Sequence, residues 1–189
     1  MCRLAALLFL LSQPFWEARP PEQWTADEIN AIRTNSPWAQ PAGHSPTVTV
    51  FLATALPVEH AETELRLRTR NPRPLLELDP DYLDYLREHR DQEFVLGVVY
   101  PTLAAFGKAE ENRRMEEETA MVIGKRRFKI VGHFPPTPSD PVLRLIFPRE
   151  VKSTDKSVLF RLYLPGLTFP EREAEFRVKD LAYQGKLEM

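Results

Sequence analysis

Eighteen prolines spread along 189 residues, against only seven glycines, set the strongest limit on what this chain can fold into. Proline fixes φ and cannot donate to a strand ladder, so the pattern predicts short elements joined by stiff connections. The other limits agree with a globular chain. At this length one domain can bury roughly 70% of its unfolded surface, and 43% hydrophobic with 28% charged residues is ordinary globular composition. A net charge of −2 gives no basic excess, so no nucleic-acid partner is expected. Cys2 is the single cysteine, which rules out an intramolecular disulfide and a thiolate metal cluster.

Arg3 followed by the apolar run from Leu4 to Leu11 supplies the first two parts of an export signal and is too short to span a bilayer. Ser12, Gln13 and Pro14 give no small-x-small cleavage pattern. The reading is a signal segment over residues 1–19 and one domain over 20–189. The protein is then periplasmic or extracellular, with an uncleaved N-terminal anchor as the variant form. No transmembrane span is expected after the signal.

Trp24-Thr25-Ala26-Asp27-Glu28-Ile29 reads as a reinforced helix start. Thr25 and Glu28 have capping-box spacing, and Trp24 and Ile29 have hydrophobic-staple spacing. That helix runs from Ala26 to about Thr34, and Pro37 stops it. Ile29 and Ile32 dock it on the body, with Trp38 beyond its end. Thr47 to Ala55 reads as a strand closed by Pro57. Asp79-Pro80 starts a second helix to about His89, whose Tyr82, Leu83, Tyr85 and Leu86 form the buried face. Phe94 to Tyr100 is a nearly continuous apolar run, as in a strand near the middle of a sheet. Residues 102–118 are compatible with a helix. Ala120 to Val131 reads as a hairpin with a type II′ turn at Gly124-Lys125. Strands follow at 142–147, 158–164 and 174–181. The sum is α+β: one mostly antiparallel sheet with two to three helices, mainly in the N-terminal half, with a β-sandwich carrying helical insertions as the alternative.

Two segments carry a resemblance: Trp24-Thr25-Ala26-Asp27-Glu28 leading to Ser36-Pro37-Trp38-Ala39, and Phe176-Arg177-Val178-Lys179-Asp180 with Tyr183-Gln184-Gly185-Lys186-Leu187-Glu188. They resemble an uncharacterised family of exported bacterial proteins, found mainly among acidobacteria. The resemblance implies a signal peptide and an envelope location, and no catalytic residue.

Candidate chemistry is sparse. His44, His60, His89 and His133 show no metal-ligand spacing beyond His60 and Glu64 on one helical face, and Asp79, Asp81 and Asp84 fit a helix start better than a calcium loop. No nucleophile elbow or phosphate-cradling glycine pattern occurs. Lys125 to Lys129 is a compact basic patch, read as an edge strand kept soluble by its charges. The sequence assigns no catalytic, metal or cofactor residue. Trp38, Lys179, Asp180 and Lys186 are the candidate partner contacts, with Trp38 expected to be exposed. The function expected is an exported non-catalytic interaction or structural module of the bacterial envelope, possible partners being envelope proteins. The rival is an envelope hydrolase with a site assembled from distant residues.

Overall fold

The computed structural model describes residues 13–69, 78–100 and 108–189. In chain order the elements are α1 (Phe15–Ala18), a 3-10 turn (Pro21–Gln23), α2 (Ala26–Thr34), β1 (Ala39–Ala42), β2 (Val48–Leu52), α3 (Leu56–Arg68), α4 (Pro80–His89) and β3 (Glu93–Val99). Then come α5 (Ala109–Glu118), β4 (Ala120–Ile123), β5 (Arg126–Lys129), β6 (Gly132–Phe134), β7 (Val142–Pro148), β8 (Ser157–Tyr163) and β9 (Glu171–Arg177). A 3-10 turn (Val178–Asp180) and the hairpin β10 (Ala182–Tyr183) and β11 (Lys186–Leu187) follow.

The α+β class with antiparallel strands and helices mainly in the first half is as expected. The strands do not share one sheet, however. They divide into a five-stranded sheet of order β1-β2-β3-β7-β6, a four-stranded sheet of order β5-β4-β8-β9, and the terminal hairpin. Facing aromatic rings join the two larger sheets. Phe94 stacks on Phe147 at 5.9 Å between centroids, Phe147 meets Phe160 at 5.2 Å, and Phe160 meets Phe176 at 5.9 Å. Phe94 and Phe147 belong to the first sheet and Phe160 and Phe176 to the second, so this layer has the character of the sandwich alternative. Alternation puts Val95 and Ile146 on the opposite face of the five-stranded sheet, where they pack under Tyr82 of α4. β3 is therefore covered on both faces at the middle of its sheet, as its continuous apolar run requires.

Local chemistry explains the elements that the sequence places well. In α2 the Glu28 N–H donates to Thr25 Oγ1 at 3.2 Å and the Thr25 N–H donates to Glu28 Oε2 at 2.8 Å, closing the capping box. Trp24 and Ile29 are both buried beside it. Thr25→Ala should therefore lower the unfolding free energy by about 1 kcal/mol with the fold unchanged, which urea unfolding followed by circular dichroism would read. In the β4–β5 hairpin Gly124 has φ +59° while Lys125 stays at negative φ, as a type II′ turn demands. Arg126–Lys129 is an edge strand, with Arg127 and Lys129 exposed and Phe128 turned toward the core.

Other expectations change. α3 is absent from the sequence reading, because Pro57 reads there as a strand stop. In the structure Pro57 occupies the first turn of the helix, where its missing N–H costs nothing. α3 then straps the N-terminal turn: Arg68 donates to the Trp24 carbonyl at 2.6 Å and to the Glu22 carbonyl at 3.2 Å, while pairing with Glu64. Leu83 of α4 is 41% exposed, not part of the buried face. The final strand ends at Arg177, where the chain turns out of the sheet while keeping Val178 buried. Residues 15–19, which the sequence assigns to the signal, include Phe15 and Trp16 packed against the core. The apolar run from Leu4 to Leu11 and the 102–107 part of the expected helix lie outside the described residues.

Candidate functional site: the groove between α3 and α4

The partner contacts suggested by the sequence do not form one surface. Trp38 is the correction: it is 0% exposed. Its ring is held edge-on between Trp16 at 5.7 Å and Tyr183 at 6.3 Å, so the N-terminal helix and the C-terminal hairpin together seal it. Pro37 does carry Trp38 past the end of α2, but Trp16 and Tyr183, from remote segments, converge on that spot. Lys179 and Lys186 are exposed, and Asp180 pairs with Arg177 at 2.6 Å. These three remain available at the surface without forming a cavity with Trp38.

The histidines and aspartates take structural places. His60 sits between the rings of Trp24 and Tyr183, and its helical neighbour Glu64 is held by Arg68. His89 lies over Tyr85, and His133 approaches Glu116 at 3.6 Å while burial lowers its pKa. Asp79 accepts the Asp81 N–H at 2.9 Å as a helix cap, and Asp84 pairs with Arg87. Among the described residues no group of three or more potential ligands is placed to hold a metal ion.

What the sequence does not reveal is a cleft of about 570 Å³ between α3 and α4, over the outer face of the five-stranded sheet. Its volume falls within the roughly 300–1,000 Å³ typical of binding sites. The Phe51 ring forms part of the floor and lies against Gly97 on the neighbouring strand; a Cβ at Gly97 would strike that ring. A glycine in the middle of an apolar strand thus sets the depth of the cleft. Leu78, Leu83 and Leu86 form the α4 side.

The polar part of the floor is built around Arg144 of β7. Its guanidinium pairs with Asp140 at 2.6 Å, both side chains being 7% exposed, and lies 4.5 Å from the centroid of the Tyr82 ring. Burial pushes the Tyr82 phenol up to about 12, the nearby Arg144 charge opposing the shift. Tyr82 therefore stays neutral through the physiological range and acts as a flat support for the cation. Along the rim, Glu59 of α3 pairs with Arg90, which follows α4, and Glu62 pairs with Arg33 of α2. Arg90 also donates to the Thr54 carbonyl at 3.3 Å, while the Thr54 hydroxyl accepts the Val95 N–H at 3.0 Å. These bonds fix α3 and α4 relative to the sheet. The result is a trough of mixed character, with an apolar α4 wall, Phe51 in its floor and a rim that carries charges of both signs. Among the described residues, none of its groups pairs a nucleophile with a base.

A sequence signal for the groove does exist in retrospect: Gly97 within an apolar strand, and an arginine at the centre of the apolar Val142–Phe147 run. Compared with known proteins, the chain matches no family model, no curated protein and no solved structure.

Proposed function

We propose that this protein is an exported, non-catalytic interaction module of the bacterial envelope, and that the groove between α3 and α4 receives the partner. The α3–α4 groove carries this reading, with its floor of Phe51 and Tyr82 and its wall of Leu78, Leu83 and Leu86. Apolar surface left in a concavity with a charged rim is the arrangement of a protein contact, in which buried apolar anchors supply most of the binding energy. The Arg3 to Leu11 signal pattern and the resemblance of the two terminal segments support export to the envelope. The hydrolase alternative gains no support from the groove, where Glu59, Glu62, Arg87, Arg90 and Arg144 are each held in an ion pair.

The test uses the full chain with a photoreactive residue at Arg87, on the exposed rim. A discrete envelope-protein adduct is expected, and Leu83→Glu in the same chain should abolish it. Because Leu83 is already exposed, that substitution should change stability by no more than about 0.5 kcal/mol. An adduct indifferent to Leu83→Glu, or none at all, would overturn the groove as the partner site.

A further inference from the structure

The leader assigned from sequence ends at residue 19, yet the folded body reaches back to Pro14. Phe15 meets the edge of Trp24 at 5.7 Å, and Trp16 meets Trp38 at the same distance. The Glu17 carboxylate accepts the Gln184 N–H at 2.9 Å, tying this segment to the turn of the C-terminal hairpin. The Arg19 carbonyl accepts the indole N–H of buried Trp24 at 3.1 Å, and the Arg19 guanidinium pairs with Glu28. Phe15, Trp16, Glu17 and Arg19 thus make five contacts with the body, and the two ring contacts cover the largest buried rings, Trp24 and Trp38.

Removal of a leader needs a small side chain just before the cut. After the apolar run the sequence offers two, Ser12 and Ala18. Hydrolysis after Ala18 would carry away Phe15, Trp16 and Glu17, exposing one side of Trp24 and Trp38 to water. A cut after Arg19 would also leave the Trp24 indole N–H buried without its acceptor, a further loss. A cut upstream of Pro14 loses none of these contacts.

On the reading that the protein is exported, we propose that its leader is removed upstream of Phe15, so that the mature protein keeps the whole aromatic segment. Water adds to the scissile carbonyl and the C–N bond breaks. The carboxylate stays with the leader, and the released amine becomes the new N-terminus ahead of Phe15.

Expression of the full chain, followed by intact mass and N-terminal sequencing of the extracytoplasmic fraction, tests this. A first residue later than Met1 and no later than Phe15 is expected. An exported protein beginning at Trp16 or beyond, or still carrying Met1, overturns the processing site while leaving export standing. Protein confined to the cytosol with Met1 intact defeats export and, with it, the processing site. A second measurement is independent of processing: Phe15→Ala with Trp16→Ala in the full chain should lower the thermal midpoint by roughly 6–12 °C. An unchanged midpoint would show that the segment is dispensable and would overturn the proposal.

Discussion

Trp38→Ala lowers the unfolding free energy by about 3–5 kcal/mol, as much as Trp24→Ala, because both indoles are fully buried aromatic side chains. The loss has two parts: the transfer of a large ring out of the core, and the cavity left between Trp16 and Tyr183, which come from opposite ends of the described chain and cannot both collapse inward. Trp38→Phe should cost far less, since it keeps an aromatic ring and removes an indole nitrogen that has no hydrogen-bond partner among the described residues. Denaturant unfolding of the three variants beside the parent decides the matter. A Trp38→Ala protein within about 1 kcal/mol of the parent would refute the burial of this residue.

The second large effect lies at the floor of the groove. Asp140→Ala should destabilise by about 3–5 kcal/mol, because it strands the Arg144 guanidinium at a site where only 7% of the side chain is exposed. Most of that cost is an unpaired buried charge, so adding Arg144→Met should recover much of it. The methionine would rest on the Tyr82 ring in place of the cation. Comparing urea midpoints for the single and double variants reads the coupling. A double variant as unstable as the sum of the singles would show that the pair contributes no coupled term.

These two sites mark how far the sequence can be read. α2, the start of α4, the Gly124 turn and the central place of β3 are legible because each depends on neighbours within a few residues: a capping box, Asp79 before Pro80, a glycine at positive φ, an unbroken apolar run. The burial of Trp38 is not legible, since it is imposed by Trp16 and Tyr183 from remote segments. α3 is hidden for a different reason. Proline is compatible with both a strand end and a first helical turn, and the helix has charged residues dispersed among its apolar ones, as in Glu59-His60-Ala61-Glu62. The division into two sheets depends on which phenylalanines face each other, a relation with no local signature. For the groove, Arg144 is visible as an anomaly in an apolar strand, but its partner Asp140 and its support Tyr82 are identifiable only once the sheet is built.

The strand order has a kinetic consequence. β3 pairs on one side with β2 and on the other with β7, and between β3 and β7 in the chain lie α5, β4, β5 and β6. One long flank of this apolar strand therefore has no partner until β7, which ends at Pro148, has been made, while the hairpin of β4 and β5 can form by itself. Closing so distant a pairing costs loop entropy before it returns any contact, which slows folding relative to a chain built from local pairs. During synthesis the β3 edge is a template for other chains, so products terminated before β7 should collect as aggregates instead of accumulating as a soluble half-domain.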